Sequence, residues 1–493
     1  MSLEDFRNER IKKLERLREA GIDPYPATTG RDRSIRLALE TFDELATAGT
    51  EVTIAGRVMA QRGHGGITFI DMKDALSSMQ ALVGSDRIGK EAYDFFISVI
   101  DIGDFVEVTG TLTTTKRGEK SIEAKSWKML AKSIRPLPEK WHGLQDVQER
   151  YRQRYLDLIL SDGIKKNFIT RFETIAAIRR FFQNNRFLEV ETPILQLIPG
   201  GATAEPFETH MNDLDLDLFL RVAPELYLKR LLVGGFSRVF EIGKNFRNEG
   251  TDRDHNPEFT MLEAYAAYKD YQWLMNFTED LLIAVTTEVL GKPEVSYQGK
   301  HIVLEKPFRR CAWNDLVKEA SGLDYDTASV NDFAERAKEL GIVVEKTMTK
   351  STLADEIYKK TLRQSMLEPV FVIDHPLELS PLSKRISPGA SQVARFQLLI
   401  GGFEMTNAFS ELNDPIDQRE RFEEQQKLRE KGDEEAHRID EDYVVALEYG
   451  MPPAAGIGIG IDRLCALLTD SHSLRDILLF PTMKPRTAGG DNA

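Results

Sequence analysis

The run Phe240-Glu241-Ile242-Gly243-Lys244-Asn245-Phe246 alternates in character, a charged turn follows, and a second alternating run starts at Phe259. That order reads as strand, loop, strand, and commits this part of the chain to an antiparallel hairpin. Arg247 and Glu249 leave the first strand two residues apart, so an extended backbone puts both on one side. Gly, Asp and Asn then reverse the chain before His255-Asn256-Pro257-Glu258-Phe259. An arginine fork, a carboxylate, a histidine and a ring therefore meet at the hairpin's mouth. Planar bidentate donors suit a phosphate, and a ring such as Phe259 can stack on a base. A surface hairpin with ordinary salt bridges accounts for the same residues equally well.

A second segment, Ala454-Ala455-Gly456-Ile457-Gly458-Ile459-Gly460-Ile461-Asp462-Arg463, places glycine at every other residue. All three glycines face one side of a strand, whereas a dinucleotide fingerprint opens a helix. A bare strand face admits a flat ligand or another backbone. Arg463 follows at a helix start, where the positive helix end adds to its charge and favours a polyphosphate. A glycine face packed beneath a neighbouring strand fits the segment at least as well.

A chain of 493 residues exceeds one core and suggests two or three domains. Residues 3–20 read as one charged helix that ends at Gly21 and the Pro24/Pro26 pair. Val52–Val58, Ile67–Ile70, Met79–Val83, Phe105–Val108 and Ser121–Ala124 read as five short strands, which suggests a small closed barrel. Gly63-His64-Gly65-Gly66 supplies a tight hairpin tip, and Pro136 and Pro138 mark a linker. Beyond Tyr151 come a long amphipathic helix over 164–186, an extended segment broken by Pro193, a strand over 218–222 and a helix over 225–232. A helix over 270–290, an insertion-like stretch over 307–365, and strands over 396–400 and 404–409 follow.

The net charge of −14 argues against indiscriminate nucleic-acid binding. It is uneven: residues 1–150 carry 23 basic and 24 acidic side chains, a net of −1, so −13 falls on the rest. Lys116, Arg117, Lys120, Lys125, Lys128, Lys132 and Arg135 form a basic stretch that could track a phosphate backbone or merely be a solvated face. No apolar run approaches the roughly 20 residues of a membrane span, and the acidic N-terminus has no apolar signal-peptide core. Cys311 and Cys465 are isolated, as expected in a reducing cytoplasm.

Taken together, these pieces resemble a class II aminoacyl-tRNA synthetase, with its three signature motifs around Pro193, Phe246–Phe259 and Gly456–Arg463. The flanking strings narrow the resemblance to the lysyl family. They are His142-Gly143-Leu144-Gln145-Asp146, Arg150 to Leu158, Ala223-Pro224-Glu225-Leu226-Tyr227-Leu228-Lys229, His255 to Met261, and Phe409-Ser410-Glu411-Leu412-Asn413-Asp414. The resemblance runs from about residue 50 to Pro485 and implies an α+β fold, with an OB-fold barrel ahead of an antiparallel catalytic sheet flanked by helices. The implied domains are a helical extension (1–48), an anticodon-binding OB-fold (49–138), a linker (139–150) and a catalytic domain (151–493) with an insertion at about 307–365.

The implied reaction joins L-lysine and ATP to lysyl-adenylate and pyrophosphate, then passes the lysyl group to the terminal ribose of tRNA(Lys). Its nucleophile is the substrate's own carboxylate, consistent with a chain that offers no Ser-His-Asp or Cys-His pattern. By resemblance, Arg247 holds the α-phosphate and the lysine carboxylate in line, Arg463 grips the γ-phosphate, and Phe259 stacks on adenine. Glu249, His255, Asn256 and Gly460 line the ATP site. Gly201 and Glu225 meet the α-amino group, Asn407 the carboxylate, and Glu411, Tyr265 and Glu263 the ε-ammonium. On the barrel, Phe69 stacks on an anticodon base, Gln80 and Glu119 read base edges, and Arg62 holds the backbone, because single-stranded loops are read by stacking and edge hydrogen bonds. Phe69 as a core residue is the alternative.

Mg²⁺ is implied with ATP, and Glu404 is the implied ligand, hard cations preferring carboxylate and phosphate oxygen. The family's second carboxylate, seven residues earlier, is Gln397 here, a weaker ligand that predicts weaker or altered binding of one Mg²⁺. The family also implies a homodimer through the Pro193 segment, a cytoplasmic location and no membrane. A paralogue that attaches lysine to protein and a non-catalytic regulator remain alternatives. The barrel speaks against the first, and Arg247, Glu249 and Arg463 against the second.

Overall fold

The computed structural model describes residues 2–138, 144, 146–202, 204–345, 347–431 and 438–486. His142, Gly143 and Gln145, from the first resembling string, lie outside the described residues. The chain divides into two compact units, Met1–Lys165 and Lys166–Ala493.

The first unit opens on a helix, Leu3–Glu19, whose Ser2 and Asp5 cap each other's backbone N–H in a capping box. The barrel follows: β1 (Glu51–His64), β2 (Ile67–Asp74), β3 (Ser77–Gly84), β4 (Phe105–Thr114) and β5 (Lys120–Ala131), closed in the order β1-β2-β3-β5-β4. Alternate residues such as Val52 and Ile54, Ile70 and Met72, and Val106 and Val108 fill its interior. Closure removes the edges that an open sheet would expose. Between β3 and β4 a helix, Lys90–Val99, packs Tyr93, Phe96 and Val99 into the same core.

In the second unit, eight strands form one sheet, in the order β14-β15-β16-β17-β18-β11-β10-β6. Their spans are β6 (Leu188–Glu189), β10 (Arg238–Phe246), β11 (Glu258–Ala267), β14 (Arg309–Ala312), β15 (Val370–Ile373), β16 (Arg395–Ile400), β17 (Phe403–Ser410) and β18 (Ala454–Gly460). Pairing is antiparallel except at the two edges, β6 with β10 and β14 with β15. The short strands β7 (Leu195–Gln196), β8 (Glu208–Met211) and β9 (Leu216–Leu220) make a separate three-stranded sheet, and β12 (Glu294–Tyr297) pairs with β13 (Lys300–Val303).

The alternation of β11 and β18 decides what each face of the sheet holds. Leu262, Ala264, Ile457 and Ile459 join Phe182, Phe277 and Leu281 of the helices Asp162–Asn184 and Tyr271–Leu290 in the main core. Each such Leu, Ile or Phe side chain contributes roughly 1.5–3 kcal/mol by leaving water. The other face carries Met261, Glu263 and Tyr265, opposite Gly460, Gly458 and Gly456. A period of two thus sends one set of residues to stability and the alternate set to a cavity.

Residues 307–365 begin inside this sheet. The strand β14 runs parallel to β15 at its edge, and only then do the helices Trp313–Ser321, Val330–Glu339 and Lys350–Thr361 build their own core on Trp313, Phe333, Ile357 and Tyr358.

Candidate active site

A cavity of about 320 Å³ opens on the glycine face of the large sheet. Gly201, Glu225, Arg247, Glu249, His255, Asn256, Phe259, Glu263, Tyr265, Glu404, Asn407, Gly460 and Arg463 all lie on its wall. These residues come from six separate stretches of chain, brought together by the pairing of β17, β18, β11 and β10.

At one end stand the cations. β10 stops at Phe246, so Arg247 and Glu249 leave from the loop beyond the strand, and the Arg247 N–H donates to Pro257 O at 2.9 Å to pin that loop across the hairpin. The Arg247 guanidinium lies 5.0 Å from the centroid of the Phe259 ring. Its Nε is buried without a hydrogen-bond partner. Burial lowers the guanidinium's pKa, and nearby Glu249 opposes the shift. A buried donor left open in this way fits a site built for an anion. Arg463 sits in the first turn of the helix Ile461–Leu468, which has no side-chain cap, and donates through Nη1 to Glu404 O at 2.9 Å. Asp462 anchors that turn: it accepts from the Thr260 N–H at 2.9 Å and pairs with Arg171 at 2.6 Å. His255 is exposed, and its Nδ1 lies 3.0 Å from Asp252 Oδ1. Asn256 donates to Glu258 O at 2.6 Å.

At the other end stand the acids. Glu263 is buried and accepts from the Tyr265 hydroxyl at 3.0 Å. Burial, with Glu225 nearby, pushes its carboxyl up to about 8. Gly201 has φ +89°, and an added Cβ would stand 2.7 Å from Glu225 Cβ, so only glycine admits Glu225 to the wall. Asn407 accepts at Oδ1 from Arg395 Nε at 2.8 Å, which leaves its amide N–H groups as the donors for a carboxylate. Tyr265 lies six positions beyond Phe259 along β11, a backbone span of about 20 Å at a strand's rise, and between them Arg247 and Glu263 are near enough to act on each other.

The glycines of β18 make room for these side chains, and among the described residues the atoms nearest to them are side chains and the backbone of the neighbouring strand β17. A Cβ on Gly456 would overlap Glu411 Oε1 and come within 2.6 Å of Tyr265 Cδ1. On Gly458 its one tight contact would be the tip of Met261 at 3.1 Å, with Asn407 O and Glu263 Cγ at ordinary distances of 3.8 and 3.9 Å, and on Gly460 the nearest atoms belong to Arg463 at 3.5 Å and beyond.

Two residues named from the sequence are off the wall. Glu411 does not itself line the cavity: almost fully buried, it lies against the bare face of Gly456 beside Tyr265, with Oε2 at 2.5 Å from Lys229 Nζ. Burial, with Glu225 nearby, raises its carboxyl to about 8 against the pull of Lys229. Gln397 faces His375, whose Nε2–H donates to Gln397 Oε1 at 3.2 Å. Burial beside Arg395 pushes the His375 ring down to about 3, so it stays neutral. Lys229, Arg395 and Arg363 were not singled out in the sequence. Lys229 sits four residues after Glu225 on the helix Glu225–Val233, a spacing that signals a facing pair. Arg363, 4.0 Å from Glu404, has no local signal.

On the barrel, Thr68 and Ile70 point inward and Phe69 is half-buried on the outer face of β2, opposite Arg62. Gln80 donates to Glu119 at 3.2 Å and accepts from Ser121 at 3.3 Å, and Arg62 pairs with Asp71 at 2.9 Å. These four residues share one side of β1–β3 and the β4–β5 turn. Much of the basic stretch is engaged within its own unit: Lys125 pairs with Glu51, Lys128 donates to Thr28 O, and Lys132 is buried between Asp101 and Asp104.

Comparison with known proteins bears on both units. The family of class II tRNA synthetases (D, K and N) matches residues 146–484, and the OB-fold nucleic acid binding domain matches residues 52–130. A lysine–tRNA ligase of Carboxydothermus hydrogenoformans is 50% identical over 480 residues, 97% of each chain. One of Pelotomaculum thermopropionicum is 49% identical, covering 98% of this chain and 96% of its own. One of Bacillus subtilis is 46% identical over 98% of both. Among the described residues, no helix is long and apolar enough to cross a membrane.

Proposed function

We propose a function from one established premise: the chain belongs to the class II tRNA synthetases and, within them, to the lysine–tRNA ligase family. It activates L-lysine with ATP and charges tRNA(Lys). The observation that carries this reading is the charge layout of one cavity, with Arg247 and Arg463 at one end and Glu225 and Glu263 at the other. A zwitterion with a second ammonium at the end of its side chain matches that layout, and a polyphosphate matches the arginines.

In the first step an oxygen of the lysine carboxylate attacks the α-phosphorus. The bond from that phosphorus to the bridging oxygen breaks, and pyrophosphate leaves with the electron pair. Arg247 touches both reactants, which aligns them and offsets the charge that builds at phosphorus. Arg463 holds the departing phosphates, and Phe259, backed on one side by Arg247, offers its ring to the adenine. In the second step the terminal ribose hydroxyl of tRNA attacks the lysyl carbonyl, and AMP leaves. Phe69, Gln80, Glu119 and Arg62 read the anticodon on the domain spanning 49–138.

The residues fit one Mg²⁺ and offer little to a second. Of the two positions implied for the metal, Glu404 presents a carboxylate on the wall, while Gln397 is off the wall and engaged with His375. Glu404 together with phosphate oxygens would hold the ion, a common arrangement for a cation that keeps few protein ligands. When bound, Mg²⁺ neutralises charge on the phosphates. Ile194, Leu195 and Leu197, beside Pro193, are exposed apolar residues and support a homodimer through that segment. The enzyme would work where its substrates are, in the cytoplasm. Lysine-dependent exchange of pyrophosphate into ATP, followed by charging of tRNA(Lys), tests the reading. Exchange without lysine dependence, or none, would defeat it, and exchange without charging would point to a protein-modifying relative.

A further inference from the structure

Lys229 has no exposed surface, and it touches two acids, Glu225 on the cavity wall and Glu411 against the lining residue Gly456. Its Nζ lies 2.6 Å from Glu225 Oε1 and 2.5 Å from Glu411 Oε2. Glu225 is its neighbour one turn back on the helix Glu225–Val233, whereas Glu411 comes from the end of β17. The Phe409 ring lies 5.2 Å from the ammonium. Burial by itself would lower this lysine's pKa, but Glu225 and Glu411 outweigh burial and raise it, so the group stays charged. Neither oxygen of Glu411 makes an aligned hydrogen bond, and Oε1 lies over the bare face of Gly456 on the cavity wall. A buried, ionised carboxylate without hydrogen bonds needs a cation nearby.

Charge counting gives this lysine a use. Fully ionised, Glu225, Glu263 and Glu411 bring three negative charges, and Lys229 cancels one. Two remain, which matches a ligand with two ammonium groups. Two further cations of this wall, Arg247 and Arg395, answer the ligand's own carboxylate, Arg395 donating to Asn407 Oδ1 at 2.8 Å and acting on Glu225.

We propose that Lys229 is a specificity-determining positioning residue, a resident ammonium that sets the pocket's charge so that a diamino acid neutralises it and a monoamino acid does not. The proposal rests on the reading that lysine occupies this end of the cavity. A purely structural ion pair would hold the helix to the sheet without selecting between ligands of one shape and different charge.

L-Norleucine supplies the test, because it has lysine's carbon chain without the ε-ammonium. Dissociation constants for L-lysine, L-norleucine and ATP are measured by calorimetry on the full-length chain, for wild type, Glu411→Gln, Lys229→Met and the double variant. Glu411→Gln leaves a net pocket charge of −1, so the preference for lysine over norleucine should collapse. Adding Lys229→Met returns the charge to −2, and the preference should recover by about tenfold or more relative to Glu411→Gln, with ATP affinity moving less than about twofold. A preference in the double variant that equals or falls below that of Glu411→Gln would overturn the proposal. That comparison stands even if Lys229→Met alone fails to fold. Failure of wild type to bind lysine would instead overturn the functional reading itself.

Discussion

Gly456→Ala probes the acidic end with a single methyl group. Gly456 is paired on both sides in the middle of the sheet, with Tyr265 and with Phe409, and its φ is not in the left-handed region, so alanine suits its backbone. The obstacle is space. The new Cβ would overlap Glu411 Oε1 and reach 2.6 Å from Tyr265 Cδ1, where ordinary contact begins at 3.4 Å. One or both side chains must give by about an ångström, and overpacking of this kind costs about 1–3 kcal/mol. Because both belong to the pocket, the loss should fall on lysine: its KM should rise by about tenfold or more, at roughly 1.4 kcal/mol per tenfold, with the KM for ATP little changed. Gly458→Ala makes one tight contact, with the side-chain tip of Met261, and Gly460→Ala meets Arg463 at ordinary distance, so their effects on lysine should be smaller. ATP–pyrophosphate exchange at varied lysine and ATP gives all the constants. A wild-type lysine KM in Gly456→Ala, or a larger lysine effect at 458 or 460, would refute the assignment of this face.

Three other outcomes follow from the same geometry. Glu263 and Glu411 are raised to about 8 in the empty pocket. Groups raised in the folded state stabilise it at low pH and lose that effect as pH climbs through the folded pKa. The melting temperature of the ligand-free protein should therefore fall as pH rises from the ordinary carboxyl value of 4.5 to about 8, and stabilisation by added lysine should grow towards pH 8; melts with and without lysine check both, and a flat lysine increment would contradict the placement of the acids. Gln397→Glu should lower the Mg²⁺ concentration needed for adenylate formation and strengthen Mn²⁺ binding seen by electron paramagnetic resonance; an unchanged Mg²⁺ dependence would show that this position does not bear on the metal. Phe69→Ala should weaken tRNA(Lys) by about 1–3 kcal/mol if a base stacks there, without touching ATP–pyrophosphate exchange, and filter binding with parallel exchange assays separates the two.

The legible parts of this molecule share a physical reason. The hairpin of β10 and β11 and the glycine strand β18 follow a period of two, which survives in the sequence because one face must be apolar. The five barrel strands are legible for the same reason. The helix Lys90–Val99 was not foreseen, because Tyr93-Asp94-Phe95-Phe96-Ile97-Ser98-Val99 offers as good a strand pattern as a helical one. β14 was hidden in the apparent insertion because four residues with two arginines carry no alternation. At the site, positions that carry a family motif were readable, whereas tertiary partners were not. Lys229 meets Glu411 only once the helix Glu225–Val233 lies against the end of β17. Gln397 leaves the cavity wall because His375, from a distant loop, engages its amide. Nor does the sequence show that Arg247 lies over the ring of Phe259.

The central claim is that Arg247 touches both reactants at the bond being made. Arg247→Ala tests it most directly through lysine-dependent ATP–pyrophosphate exchange, with the melting temperature and tRNA(Lys) binding measured alongside. Exchange should fall by about 100-fold or more, as when a charge-stabilising donor is removed from a reaction centre, while the fold and tRNA binding persist. Near wild-type exchange in that variant would contradict it.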